Sequence, residues 1–125
     1  MAESREELEG ILDKFLNKDM YVIIATPCVG PEIQKNIELH LDNQVKLEKE
    51  GVMFAAGPLY NEGDKLPSHG MFILRANSFE EAREIADADP FHKMGLREYT
   101  IQRWRMNEGS YTITVNYSDQ SVKIA

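Results

Sequence analysis

The chain has almost no cysteine. Among its 125 residues only Cys28 carries a thiol, so no intrachain disulfide can form. A reducing compartment fits that usage, as does a disulfide-free secreted protein. Long apolar runs are missing too, and no stretch approaches the roughly 20 residues that a bilayer-spanning helix needs. The first residues, MAESREELEG, turn acidic at the third position and hold no apolar segment of a secretory signal. The simplest expectation is a cytoplasmic protein with no membrane partner. Positive charge is also in deficit. Lys and Arg total 14 against 21 Asp and Glu, giving a formal net charge of −7. The densest basic group is Arg97, Arg103 and Arg105, which is no stripe, so a nucleic-acid backbone is not the expected partner. A small anion remains open, since it needs only one or two local cations.

Recognisable chemical motifs are equally scarce. His40, His69 and His92 show no HxxxH or HxH spacing and Cys28 stands alone, so no metal site is expected. There is no G-x-G-x-x-G, no Walker loop and no G-x-S-x-G elbow. Cys28 lies between Pro27 and Val29 with no base in view, a poor setting for a nucleophile. No internal repeat or domain boundary is visible.

What is present is an ordinary globular composition, 42% hydrophobic and 28% charged, in a chain long enough for one core. A single domain over 1–125 is expected, with its core at 20–109. Ser4-Arg5-Glu6-Glu7 is a capping box, and Leu8, Ile11, Leu12, Phe15 and Leu16 follow at helical spacing, predicting a helix over 4–17. MYVIIA at 20–25 reads as a strand. A helix from about 32 to 50 stops at Gly51. VMFAA at 52–56 is a strand closed by Gly57-Pro58, and MFIL at 71–74 is the next. Ser78-Phe79-Glu80-Glu81 caps a short helix that ends at Asp89-Pro90. Residues 96–106 read as a strand. Within 110–125, the alternation of Tyr111, Ile113, Val115 and Tyr117 predicts one more, half-buried strand, after which no pattern is visible.

The order β-α-β-β-α-β between Met20 and Met106 is that of a ferredoxin-like α+β fold, an antiparallel sheet with both helices on one face. MYVIIA and MFIL are apolar at consecutive positions, as in strands covered on both sides. Either the N-terminal helix or a second copy of the sheet has to cover the other face. The second copy gives a homodimer, with further assembly open.

His40 falls inside the arc of the second helix that holds Ile33, Ile37, Leu41, Val45 and Leu47, together with Gln34, Gln44 and Glu48. Such a histidine is either a structural residue satisfied by a backbone carbonyl or a general acid/base. In the run ADADPF, Asp87 and Asp89 are both candidates to orient it, and periodicity does not choose between them. Asp89 before proline is also a plain turn residue. Gly57-Pro58 is a turn signal or a place where a ligand nears the backbone. His69 sits in a polar loop, and His92 follows Asp89-Pro90 closely enough to line the same rim. Trp104, Tyr99 and Tyr111 suit a core or an interface.

YVIIA, His40-Leu41 ahead of Gly51, Ala56-Gly57-Pro58, the block Ser78 through Ala86-Asp87-Ala88-Asp89-Pro90-Phe91, and Arg103, Trp104 and Asn107-Glu108-Gly109 together resemble the YciI-like (YCII-related domain) family. The resemblance covers roughly Met20 to Gly109. It implies a dimeric α+β barrel with His40 and Asp89 as a catalytic pair in a cleft. Gly57, Pro58, Asp87, Phe91 and His92 complete the expected substrate-binding set. It also implies kinship with muconolactone isomerase-like proteins and a dehydrochlorinase. In that reading His40 is the acid/base, Asp89 fixes its tautomer, and no cofactor is required.

Two functions are then in competition. One is a cofactor-independent lyase or isomerase acting on a small oxygenated ring or lactone. The alternative is a non-catalytic module that binds a small metabolite or assists a neighbouring enzyme. A haem- or oxygen-using relative on the same architecture is a third, and it requires an axial ligand.

Overall fold

The computed structural model describes residues 4–124. They fall into two compact units, one from Asp19 to Arg105 and one formed by the chain ends, through Lys18 and from Met106.

The larger unit is built on four strands: β1 (Lys18–Thr26), β2 (Met53–Leu59), β3 (His69–Leu74) and β4 (Glu98–Met106), in the order β2-β3-β1-β4. β1 and β3 run antiparallel with Ile23 opposite Phe72, and β2 and β3 are antiparallel with Ala56 opposite Phe72. Between them lie α2 (Pro31–Lys35), α3 (Ile37–Lys49), α4 (Phe79–Asp87) and α5 (Pro90–Lys93). This is the ferredoxin-like α+β arrangement. Ile23, Ala25, Met53, Phe72, Leu74 and Ala86 form the core, with Leu47, Ile85, Tyr99 and Ile101 packed against it. Burying such side chains fully stabilises the fold by about 1.5–3 kcal/mol each. Because side chains alternate along a strand, Val22, Ile24, Met71 and Ile73 point to the opposite face.

Several local expectations change. The expected helix at 32–50 is two helices, broken at Asn36. There the backbone leaves helical geometry (φ −109°, ψ 13°) and the side-chain amide donates to the Glu32 carbonyl, competing with the helix ladder. Gly57-Pro58 does not close β2 but lies inside it. Proline is tolerated there because β2 is an edge strand with no ladder bond lost on its outer side. β3 starts at His69, two residues early. Asp89-Pro90 ends α4 and also opens α5, with Asp89 as N-cap and Pro90 in its first turn.

In the smaller unit, α1 (Arg5–Leu12) is capped by Ser4 as expected but stops well short of residue 17. The backbone N–H groups of Lys14 and Phe15 bond three residues back. Asn17 then takes a left-handed conformation (φ 55°) and caps the Leu12 and Phe15 carbonyls with its amide. No residue of α1 is buried. The C-terminal segment is a hairpin of β5 (Ile113–Val115) and β6 (Val122–Ile124). The single half-buried strand expected over Tyr111–Tyr117 is therefore shorter, exposed throughout, and paired with a strand in a stretch where no pattern was visible. Residues 1–3 and 125 of the expected domain lie outside the described residues.

Candidate active site

The site starts from the way α3 meets the sheet. Its inward stripe is His40, Asn43, Gln44 and Leu47, one face of a helix at i, i+3, i+4 and i+7, while Leu41 and Val45 are exposed. His40 is the only residue of α3 that is buried. Its ring stacks on Phe91 with centroids 4.4 Å apart and planes 14° from parallel.

Asp89 reaches the same point from the start of α5. It is 2% exposed and His40 is 6% exposed. Asp89 Oδ1 accepts the Phe91 backbone N–H at 2.8 Å, and Oδ2 lies 2.7 Å from His40 Nδ1. A carboxylate only accepts, so Nδ1 carries a proton and Nε2 of the neutral ring is left with a lone pair. Gln44, one turn along α3, places its amide nitrogen 3.3 Å from that Nε2. Its other end, Oε1, is buried with no partner among the described residues.

His40, with Asp89 behind it, borders a cleft of about 400 Å³. Gly57 and Pro58 line it, as expected from the GP dipeptide, with Met71 and Phe72 from β3. A Cβ built on Gly57 would meet no atom within 4 Å, so protein packing does not demand glycine there. Phe91 is fully buried beneath His40 and does not line the cleft. Asp87 is exposed and accepts the Tyr99 hydroxyl at 2.7 Å, away from the cleft. His92 donates Nδ1–H to the Ala86 carbonyl at 2.6 Å and packs on Tyr99, so it supports the wall and does not form the rim. Of the expected substrate-binding set, only Gly57 and Pro58 face the cavity. The others follow closely in sequence, but Phe91 and His92 lie on α5 and pack inward, while Asp87, at the end of α4, is exposed beside Tyr99.

Three residues named in the sequence but not expected at the site also line the cleft: Gln44, Cys28 and Arg97. Arg97 Nε–H donates to the Pro27 carbonyl at 2.8 Å, Nη2 lies 3.6 Å from Cys28 Sγ, and Cζ stands 4.6 Å from the Phe91 ring centre. Partial burial holds this guanidinium below its ordinary range, and burial pushes the Cys28 thiol up. Among the described residues no cluster of three or more His, Cys, Asp or Glu could hold a metal ion, and no helix is long and apolar enough to cross a membrane.

Comparisons with known proteins agree with this fold. A solved structure of 5-chloro-2-hydroxyhydroquinone dehydrochlorinase (TftG) from Burkholderia phenoliruptrix AC1100, in complex with 2,5-dihydroxybenzoquinone, superposes with a TM-score of 0.54. The match covers 69% of this chain and 93% of that one, at 22% identity, and so speaks to the fold. The uncharacterized protein YjpA of Bacillus subtilis (strain 168) is 29% identical over 75 residues, 60% of this chain and 82% of its own length. The YCII-related domain matches residues 20–105, nearly the whole of the larger unit, and the chain belongs to that family.

Proposed function

We propose that this protein is a cofactor-independent acid/base enzyme, a lyase or isomerase, in which His40 moves a proton on a small oxygenated ring or lactone. The observation that carries this is the buried His40–Asp89 pair, whose His40 lines the cleft. The cytoplasm remains the proposed location. Asp89 is a positioning residue. It holds the imidazole in one tautomer and stabilises the cation that forms when Nε2 takes a proton. Nε2 removes a proton from a carbon next to an enol or carbonyl, and the C–H electron pair moves into the ring. In a lyase, a leaving group such as chloride then departs with its bonding pair. In an isomerase, the imidazolium returns the proton to another carbon. The step needs no metal or organic cofactor.

The dehydrochlorinase fold match suggests the first compounds to try. The protein is incubated in D2O with 5-chloro-2-hydroxyhydroquinone and, separately, with a muconolactone. Solvent deuterium at carbon is followed by NMR and chloride by ion chromatography. Turnover that falls about 10²–10⁴-fold in His40→Ala supports the assignment. Turnover at the full rate in that variant refutes it. A ligand bound and returned unchanged, with no deuterium gained, favours the binding-module alternative.

We also propose that the working unit is a homodimer joined through the sheet face that carries Val22, Ile24, Met71 and Ile73. Val22 lies opposite Ile73 and Ile24 opposite Met71 on that face, so the apolar positions are in register. Trp104 and Phe54, with ring centres 6.4 Å apart, are each more than a third exposed. A second copy is the occupant that presents the same apolar surface in return. Light scattering on the full chain at micromolar concentration decides it, and a clean monomer mass rejects it.

A further inference from the structure

Within the cleft, one charge is unaccounted for. Arg103 and Arg105 share the carboxylate of Asp19, at 3.9 and 2.8 Å. Arg97 has no carboxylate within ion-pair distance among the described residues. Yet its guanidinium is pinned with care: Nε to Pro27, Nη2 beside Cys28, and the plane against Phe91. Nη1 has no acceptor among the described residues, and it faces Gly70, where an added Cβ would come within 3.4 Å. Asp89 acts on it only from beyond ion-pair distance, and a cation drawn partly out of water without a close partner is costly. A rigid fork with an unused donor edge suits a planar oxyanion.

The rest of the cleft agrees. Its other lining residues include Ile37, Leu41, Pro67 and Phe72, which supply apolar area for a ring. Gln44 Oε1 lacks a donor, which a hydroxyl group on the ligand would provide. His40 and Arg97 both line this cleft, and each packs on the Phe91 ring. The protein as a whole carries −7 and repels anions, which makes a local cation necessary for one to bind.

We infer that the cleft selects a compact hydroxylated oxyanion, a ring enolate, phenolate or carboxylate, and that Arg97 is the residue that binds its charge. This deepens the acid/base reading and rests on it for the ligand's role as substrate. It has a chemical consequence: the anion is already electron-rich, and Arg97 holds the negative charge on oxygen while Nε2 of His40 works at carbon.

The test compares shape-matched anionic and neutral probes on the full chain. 2,5-Dihydroxybenzoquinone, an acidic enol, is set against 2,5-dimethoxybenzoquinone, and benzoate against benzamide. Kd is measured by calorimetry, with the Arg97 Nε–H resonance as a local reporter. The expected result is at least one anion bound about tenfold or more tightly than its neutral partner. That preference falls with added salt, disappears in Arg97→Gln and is partly kept in Arg97→Lys. Preference for the quinone pair assigns an enolate, and for the benzoate pair a carboxylate. Equal binding of anion and neutral partner overturns the proposal, as does no binding of either anion to the wild type up to about 1 mM. The wild-type comparison stands even where Arg97→Gln fails to fold. An anion held by Arg97 with no carbon-bound hydrogen exchanged sinks the enzyme reading and leaves this one. A neutral compound turned over through His40 does the reverse.

Discussion

His40 Nδ1 and Asp89 Oδ2 meet at 2.7 Å across 49 residues of chain, and both side chains are buried. The contact is made by two different devices. A helix turns a polar face inward to deliver His40, and the N-cap of a one-turn helix fixes Asp89 by its second oxygen. Because a carboxylate cannot donate, the pair sets the neutral ring to the Nδ1–H form.

The first prediction follows from that asymmetry. In Asp89→Asn the amide can turn its NH2 toward the ring, which then accepts at Nδ1 and carries its proton on Nε2. Long-range ¹H–¹⁵N correlation is expected to show His40 as the Nδ1–H tautomer in the wild type and a shift toward Nε2–H in the variant. Any proton-transfer rate should fall by about 10²–10⁴-fold. An unchanged tautomer makes Asp89 a mere helix cap.

Periodicity does not choose between Asp87 and Asp89, the family resemblance implies Asp89, and the two have different partners in the structure. Asp87 accepts the Tyr99 hydroxyl at 2.7 Å, and burial, with that bond second, pushes the Tyr99 phenol up to about 12. The group's folded value is raised above the unfolded one near 10. Its contribution to stability is therefore complete below pH 10 and is lost as pH rises through about 12. Absorbance near 295 nm should show one tyrosine ionising well after exposed ones, and Tyr99→Phe should remove that late step. Asp87→Asn should bring it earlier and leave ligand binding in the cleft unchanged.

Much of this was legible in advance because it depends on local pattern. MYVIIA and MFIL are strands on composition alone, two capping boxes start two helices, and Asp-Pro marks a helix stop. What stayed hidden depends on tertiary context. The arc of the second helix held His40, Gln44 and Leu47, which do face in, but it also held Leu41 and Val45, which are exposed on α3. Arg97 belonged to a basic cluster with Arg103 and Arg105. Asp19 takes the latter two and a carbonyl of the Pro27 loop, 70 residues away, takes the first. No spacing rule reaches across that distance.

The proposed homodimer gives a third prediction through Trp104, the chain's single tryptophan. It is 36% exposed and lies against Phe54. In that homodimer it becomes a central aromatic contact, the kind whose loss costs about 2 kcal/mol or more. Trp104→Glu should convert the dimer to monomer by light scattering while circular dichroism stays unchanged. Wild-type emission should red-shift on dilution through the dissociation range. A variant that remains dimeric places the interface elsewhere.

Cys28 offers the most direct view of the cleft, because it is the only thiol and it lines the cavity beside Arg97. Two influences act on it in opposite directions. Burial, the larger, raises its ionisation above the ordinary thiol value, and the Arg97 charge lowers it. The thiolate is the reacting form, so at pH 8 alkylation by iodoacetamide should be slower than for free cysteine. Arg97→Gln removes only the lowering influence. The midpoint of the pH–rate profile should therefore move to higher pH, even where the smaller side chain opens access and raises the limiting rate at high pH. The midpoint reports charge and the plateau reports access, so the two effects separate in one experiment. A ligand seated on Arg97 covers the thiol as well. Saturating 2,5-dihydroxybenzoquinone should then slow alkylation in the wild type and much less in Arg97→Gln. Equal protection in both would mean that the anion reaches the cleft without Arg97 and that the guanidinium serves only to hold the Pro27 loop.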